Sequence, residues 1–492
     1  MTGSDGGGRS IERRSDSVAA AQGTAALALG QVFTRALGLG FVLVATRAVA
    51  PTELGRYAVA SALLLGASSI ADLGTTSVVT KLVSRAPHES ARILGAVVIP
   101  SFVLGVLALS ALTAFVLIFD YPSVTRTDTL LAGLGLPADA VLTSLFGGFD
   151  GRGLLTRRAW LSLARTTFTI GGGIAAILAT RDVRMALIAL GAGPNVALVL
   201  GIVAARRSGL WTGRPRSDPE IFRAVLRQAL PFALLGGINV IVLRADVVIL
   251  SLLAAPSTVA RYDVALRATE ALGFLGSVVA APSLFILSRR LGAGDSLGAQ
   301  RAFDEATRLA YLIGLALSAV LVAIGTPVAA VVFGEKYRAA GTLLSILGLQ
   351  LWLALIAAIQ GSLLLAGGEL RRAVKFFSSL AAGAVVVQTT AIMIAGAIGA
   401  AVAMVVVQSS IVTAAALFSR RYTGVSLRRP PVGALIAALA SGATMALTSS
   451  SLWLPWVLIV GAAVYLVIVV GTRTVDADDV RRLRGRLRPT GI

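Results

Sequence analysis

Apolar stretches of about twenty residues recur along the chain, separated by short polar, charged or Gly/Pro-containing breaks. An α-helix needs roughly 20 such residues to cross the hydrocarbon core of a bilayer, which is about 30 Å thick. The pattern therefore predicts an all-α polytopic membrane protein with about fourteen transmembrane helices. The predicted spans are 22–46, 57–80, 93–119, 128–148, 159–180, 185–204, 229–253, 258–287, 305–333, 340–366, 373–393, 396–418, 432–449 and 453–471.

A short sequence pattern suggests that the spans form a repeat. RYAVA at Arg56–Ala60 returns 205 residues later as RYDVA at Arg261–Ala265, and each copy opens the second helix of a group of six. In both groups another arginine, Arg85 or Arg290, follows 29 residues after the first. Repeats of this kind typically enclose a site at their interface and rock against each other. We predict two six-helix lobes followed by two further helices.

The breaks between the groups give the predicted domain boundaries. The first residues are rich in Gly, Ser and Arg, which is typical of a disordered tail, and the apolar segment after them is too long for a signal peptide. The predicted parts are a disordered cytosolic tail (1–17), an N-lobe with helices one to six (18–205), a cytosolic linker (206–228), a C-lobe with helices seven to twelve (229–419), helices thirteen and fourteen (430–472) and a basic cytosolic tail (473–492).

The composition agrees with lipid as the solvent. Of the 492 residues, 56% are hydrophobic and only 14% are charged, with a mean hydropathy of +0.85, whereas soluble domains are about a quarter charged. The net charge of +20 could suggest a nucleic-acid partner. Because the basic residues lie in short clusters between apolar runs, we interpret them as an orientation signal and expect no nucleic acid.

The distribution of basic residues predicts the orientation in the membrane. With the N-terminus inside, 32 Lys and Arg residues fall in the predicted cytosolic segments and eight in the outer segments. This bias places both termini in the cytosol and favours an even number of helices. Only three of the basic residues are lysine, and such Arg enrichment is typical of a high-GC bacterial source. We therefore expect a multi-pass protein of the bacterial cytoplasmic (inner) membrane.

The sequence offers little that would support catalysis. There is no cysteine, which excludes disulfides, thiolate metal sites and a Cys nucleophile. No Walker loop, zinc-protease motif or nucleophile elbow occurs, and no predicted outer loop is long enough to carry a catalytic domain. We predict a transporter rather than an enzyme, with no metal and no cofactor.

Four arginines remain once the basic residues of the inner and outer segments are counted: Arg35, Arg165, Arg244 and Arg267. Each costs roughly 2.5–3.5 kcal/mol at mid-bilayer, so each must face a cavity, pair with an acid or reach the interface. A guanidinium binds phosphate oxygens bidentately and stays charged, which favours a cationic cavity for a phosphate-bearing head group. The alternatives are pairing of Arg267 with a nearby acid and, for Arg165, snorkelling to the interface.

Acidic and amide residues accompany these arginines. Asp263, Arg267 and Glu270 share one stripe of the eighth helix with Ser277. In the seventh helix, Asn239 and Asp246 share a face, and Arg244 points nearly the opposite way. Side chains of this kind at membrane depth serve either in cation coupling or in pairing between helices. The candidates for these two roles are Asp246, Glu270, Asp263, Asp72 and Asn239.

Several short segments, in their order and spacing, match a known family over nearly the whole chain. They are Leu54–Tyr57, Ala71–Gly74 with Lys81 and Arg85, Leu230–Phe232, 244–246, Arg261 and Tyr262 with Ala265, Arg267 and Glu270, Pro282 with Ser288, Phe333 and Gly334 with Tyr337, and Gly396 with 399–401. In these features the sequence resembles the Wzx-type polysaccharide flippases of the multidrug/oligosaccharidyl-lipid/polysaccharide (MOP) exporter superfamily.

The resemblance implies two six-helix lobes around a central cavity, with helices thirteen and fourteen added. Related peptidoglycan-precursor flippases carry cationic residues in their first, second and eighth helices. Arg35 and Arg267 match two of these by helix, and Arg56 is a looser match at the start of the second. Their sodium site uses acidic or amide groups of helices seven and eleven. Asp246 fits the first of these, but helix eleven offers only Gln388 with two threonines, which weakens the expectation of sodium coupling.

The leading hypothesis is alternating-access flipping of a lipid-linked (polyprenyl-pyrophosphate) oligosaccharide for polysaccharide or lipopolysaccharide synthesis at the cell envelope. The predicted partners are this substrate, membrane lipid, and a glycan polymerase or glycosyltransferases. One alternative is a multidrug or metabolite/cation antiporter of the same superfamily, which would need an acidic cavity. Another is a membrane scaffold without transport, assembling an envelope-synthesis complex.

Overall fold

The structure is a computed structural model that describes residues 26, 29–211, 218–368, 370–472 and 474. Within these ranges, the side chains of 226, 230–243, 370, 371 and 373–375 are not described. The predicted tail 1–17 and nearly all of the predicted basic tail 473–492 lie outside the described residues.

The described part of the chain is built of α-helices joined by short turns and contains no strand. The helices up to the middle of the chain are α1 (Leu29–Ala48), α2 (Pro51–Asp72), α3 (Thr75–Arg85), α4 (Ser90–Ile118), α5 (Ser123–Gly133), α6 (Leu136–Gly151), α7 (Leu155–Thr166), α8 (Gly172–Thr180), α9 (Val183–Arg207) and α10 (Pro219–Leu253). The later helices are α11 (Pro256–Gly292), α12 (Ser296–Phe333), α13 (Ala340–Gly348), α14 (Leu351–Ala366), α15 (Leu370–Tyr422), α16 (Val432–Thr448) and α17 (Leu454–Gly471).

The all-α polytopic prediction is confirmed. Ten helical stretches of the described chain are long and apolar enough to cross a membrane, and α13 with α14, bent by 45°, makes an eleventh. The other predicted spans correspond to α10, to α16 and to a break in α15. That break lies at Ala395 and Gly396, where the sequence pattern separated helices eleven and twelve, and Gly396 has a positive φ of 55°.

Several spans are broken helices rather than continuous ones. Leu73 and Gly74 adopt left-handed backbone conformations between α2 and α3, with φ of 43° and 72°. A π-helical segment, Thr167–Gly171, joins α7 to α8 inside the fifth span. Single π-helical turns within membrane helices often mark functional positions, because they redirect the side chains on either side.

The chain divides by packing into two compact units, Met1–Ala260 and Arg261–Ile492. The division lies near the start of α11, so that α10 belongs to the first unit. The predicted N-lobe, in contrast, ends before the linker 206–228. The reason is that α10 packs against α2, α3 and α4 within the first unit. In the second unit, α16 and α17 pack on α12, where the Tyr465 hydroxyl donates to the Leu312 carbonyl at 2.7 Å. The six-helix lobes stay a prediction.

Glycine allows a close backbone contact between helices of the first unit. A Cβ on Gly191 of α9 would lie 2.5 Å from the carbonyl oxygen of Leu131 in α5, and a Cβ on Gly135 would lie equally close to the Gly191 carbonyl. Small residues commonly permit such backbone approach between membrane helices. The contact holds α9 against the junction of α5 and α6.

Replacing Gly191 by alanine should therefore separate these helices. We expect Gly191→Ala to destabilise the protein by about 1–3 kcal/mol, the usual range for overpacking. The measurement is thermal unfolding of purified protein in detergent. The matched control is Gly383→Ala on α15, where a Cβ meets nothing within 4 Å and only helix propensity changes, by up to about 1 kcal/mol in favour of alanine. Equal melting temperatures for wild type and Gly191→Ala would contradict this account of the packing.

Candidate functional site

Arg56 belongs to a cluster of two arginines around one buried carboxylate. Asp128 on α5 is fully buried and accepts from Arg56 Nη1 through Oδ2 and from Arg184 Nε through Oδ1, each at 3.0 Å. The side chains of Arg56 and Arg184 remain 21% and 42% exposed. The cluster ties α2, α5 and α9 together near one end of each span. Arg56 is thus held by an acid that the sequence did not single out.

Arg165 is held in a similar way by Asp139. The guanidinium of Arg165 on α7 forms a 2.7 Å ion pair with Asp139 Oδ1 on α6, and the Ser68 hydroxyl of α2 donates to Asp139 Oδ2 at 2.7 Å. Asp139 is almost fully buried, whereas Arg165 remains 36% exposed. Snorkelling alone does not account for Arg165, because it is anchored to a neighbouring span.

Arg35 lies next to a contact between α1 and α7. The hydroxyls of Thr34 and Thr166 are 3.3 Å apart, so the residues that follow and precede them in sequence, Arg35 and Arg165, flank the same crossing. Arg35 itself is exposed. Arg35 and Arg165 are therefore carried by neighbouring helices of the first unit. Arg165 lies two residues before the π-helical segment Thr167–Gly171.

Arg267 lies on α11 with its predicted partner. Its Nε forms a 2.5 Å ion pair with Oδ2 of Asp263, one turn earlier, and Asp263 is buried while Arg267 keeps 26% of its side chain exposed. Glu270, on the same stripe, is half-buried. Eleven residues separate Arg267 from the start of α11, which places it about 16 Å along this helix, within a stretch long and apolar enough to span a membrane.

The residues predicted on helix seven lie on α10. Arg244 is half-buried and lines a cavity of about 340 Å³ formed with small and apolar residues of α2 and α4, among them Gly66 and Ala108. Asp246 is fully buried, and its Oδ1 accepts from the backbone N–H of Val247 at 2.7 Å. The side chain of Asn239 lies outside the described residues.

Asp72 stabilises a helix break. Its Oδ1 accepts from the hydroxyl of Thr76 at 2.7 Å, and from the Thr76 N–H and the Thr75 hydroxyl at 3.3 Å each. These are among the backbone and side-chain donors at the start of α3, which a helix cannot satisfy within itself. Of the two roles predicted for Asp72, this geometry favours the structural one.

The sequence analysis identified the arginines at membrane depth but missed one carboxylate and one arginine of these ion pairs. Asp128 was not singled out, and Arg184 was counted only as an outer-loop charge. The available signal was a pair of carboxylates, Asp128 and Asp139, within an otherwise apolar span. Unpaired carboxylates are as costly there as unpaired guanidiniums, so each had to have a partner on another helix.

The comparisons with known proteins agree with this fold. The profile of a family described as "Polysaccharide biosynthesis protein" matches residues 20–285, more than half of the chain. No curated protein matches the chain by sequence. The solved structure of the lipid II flippase MurJ, in an inward closed conformation, is similar with a TM-score of 0.74 and 14% identity, covering 91% of this chain and 98% of that one.

Multidrug transporters have a similar fold. An inward-facing MATE family transporter of the MOP superfamily aligns with a TM-score of 0.63 and 15% identity, covering 80% of this chain and 94% of that one. The eukaryotic MATE transporter AtDTX14 aligns with a TM-score of 0.54 and 14% identity, covering 81% and 96%. At these identities the likeness shows the fold alone.

Neutralising Asp128 tests the first cluster. In Asp128→Asn, Arg56 and Arg184 lose the negative charge that they share. The amide nitrogen of the asparagine also faces the N–H donor of one of these two arginines, with which it cannot form the original hydrogen bond. We expect a loss of about 2 kcal/mol, below the 3–5 kcal/mol of fully buried pairs because both arginines are partly exposed. The readout is thermal unfolding of the purified protein.

Asp120→Asn is the control: Asp120 pairs with Arg126, but its side chain is 91% exposed, so we expect a change within about 0.5 kcal/mol. Equal effects of the two substitutions would remove the structural role of the cluster.

Proposed function

Since the chain belongs to the polysaccharide biosynthesis protein family, we propose that it flips a polyprenyl-pyrophosphate-linked oligosaccharide across the membrane by alternating access. The predicted resemblance to MOP flippases is confirmed by the family match and the shared fold. We propose that the chain is a membrane transporter of that superfamily. The lipid-linked glycan is our proposal for its substrate. It rests on the family and on the cationic character of the residues at membrane depth.

The observation that carries the proposal is Arg267. An arginine within a membrane span that served only to neutralise Asp263 would be expected to be as buried as its partner. Arg267 instead keeps a quarter of its side chain exposed while Asp263 fixes the guanidinium through Nε. A guanidinium that is oriented by Asp263 and partly exposed is suited to receive phosphate oxygens.

We further propose that Arg35 and Arg244 also contact the substrate in the course of the cycle. Arg56 and Arg165 are paired with Asp128 and Asp139, yet keep 21% and 36% exposure. Their role as substrate ligands stays a prediction, and in either case their ion pairs hold the surrounding helices. Asp246 and Glu270 are the proposed candidates for ion coupling, ahead of Asp72, because Asp72 is engaged at the start of α3.

In the proposed cycle, the head group enters from the inside and leaves outside while the polyprenyl tail stays in the bilayer. Moving one charge across 100 mV corresponds to about 2.3 kcal/mol, so the membrane potential can reset the cycle. We propose a location in the bacterial inner membrane with both termini cytosolic, since 32 of the basic residues fall in the predicted inner segments. Glycosyltransferases and a glycan polymerase are the proposed partners.

The test is flipping by purified protein reconstituted into proteoliposomes. The substrate is a fluorescent polyprenyl-pyrophosphate oligosaccharide, and an impermeant glycosidase added outside reports its arrival in the outer leaflet. Removing a charged phosphate contact costs about 1.5–3 kcal/mol, so Arg267→Ala should slow flipping by about 10- to 100-fold. Arg267→Lys keeps the charge but loses the planar fork, and should fall between wild type and Arg267→Ala.

Arg207→Ala, at an exposed position at the end of α9, is the control and should flip at the wild-type rate. Wild-type flipping by Arg267→Ala would refute the role of that residue. If the wild-type protein leaves the lipid-linked glycan in place and instead exchanges drug cations for protons or sodium, the antiporter alternative is correct.

A further inference from the structure

A second cationic feature lies in the turn between α11 and α12. There, a cavity of about 810 Å³ is lined by basic and apolar residues. The turn itself is well fixed. Asp295 caps α12 by accepting from the Gly298 N–H at 2.7 Å, and pairs with Arg290 Nη1 at 2.6 Å. Gly294 provides the left-handed φ of 72° that the turn requires.

The charge of this cavity is small and positive. Its charged lining residues are Arg289, Arg290, Arg301, Asp295 and Glu305. The Gly298 N–H and Arg290 hold the pKa of Asp295 below its usual range, so this carboxylate is ionised at neutral pH and balances Arg290. Arg289 and Arg301 are both exposed, Arg301 also contributes to the lowered pKa of Asp295, and Glu305 is the other acid of the lining. The formal charge of the lining is +1, which complements the single negative charge of a phosphodiester.

The walls change from apolar to basic along the helix axis. On α11, Val278, Pro282, Ile286 and Arg289 follow one another at helical spacing on one face. From Val278 to Arg289 is eleven residues, or about 16 Å, close to half the thickness of a hydrocarbon core. When the apolar part of this wall lies among the acyl chains, Arg289 therefore lies at the level of the phosphate groups.

The facing wall on α12 is mixed. From the turn onward, Leu297, Arg301, Glu305 and Leu309 lie on one face at intervals of four residues, and both leucines are exposed. Val278 and Ile286 on α11 are exposed as well. The apolar wall of α11 ends in Arg289, and Arg301 on α12 lines the same cavity, an arrangement that matches a lipid with an acyl chain below and a phosphate above.

We propose that this cavity between α11 and α12 binds an anionic membrane phospholipid, with the phosphate on Arg289 and Arg301. The transported lipid is a poorer fit, because a pyrophosphate carries more than one negative charge and its glycan would meet apolar walls. A zwitterionic phospholipid would bring its own cation next to the arginines. The site would hold a lipid other than the substrate, so it stands or falls separately from the proposed flipping.

The test uses native mass spectrometry of the full chain in detergent, titrated with phosphatidylglycerol. Each arginine near a phosphate contributes a factor of about five, so Arg289→Ala/Arg301→Ala should weaken binding of the first lipid by about 10- to 30-fold. Glu305→Gln removes the remaining acid and should strengthen binding by about fivefold. This second variant keeps the test informative if the double variant folds poorly.

The matched control is Arg206→Ala/Arg207→Ala, two exposed arginines at the end of α9, which should change the affinity by less than about threefold. Equal losses in the two double variants would mean non-specific attraction and would overturn the proposal. Equal binding of phosphatidylcholine would also overturn it, and so would tighter binding of geranylgeranyl pyrophosphate, since the cavity would then be a substrate site.

Discussion

The cost of an unpaired charge in hydrocarbon is the constraint on which this structure depends. Arg56, Arg165 and Arg184 are each paired with a carboxylate, Asp128 or Asp139, that a different helix supplies, so pairing also decides which spans lie together. The same interaction has a second consequence on α11. Asp263 orients Arg267 without burying it, so that a partly exposed guanidinium lies within the span, where we propose that it receives a phosphate.

The fold was largely readable from the sequence, because hydrophobicity alone determines where a chain can cross a bilayer. The break between helices eleven and twelve was found where Gly396 has a positive φ. What hydropathy did not reveal were the breaks within spans, such as Leu73 and Gly74 between α2 and α3. There, an aspartate and two threonines satisfy the start of α3, and an average over twenty residues is insensitive to such local hydrogen bonds.

The candidate site was predictable by residue type but not by partner. The pairing of Arg267 with Asp263 follows from helical spacing, which fixes which side chains share a face. The pairing of Arg56 with Asp128 joins residues 72 positions apart on different helices, and spacing along one helix carries no information about it. The packing of α10 with α2, α3 and α4 is equally non-local, which is why the compact units divide later than the predicted linker.

The central claim is that the protein carries a lipid-linked glycan from the inner to the outer leaflet. Its most direct test is depletion of the protein in cells, followed by labelling of the lipid-linked precursor from outside with a reagent that cannot cross the membrane. The account predicts that precursor accumulates and that nearly all of it is shielded from the reagent until the protein is restored. If the precursor stays accessible from outside after depletion, at its normal level, the account is wrong.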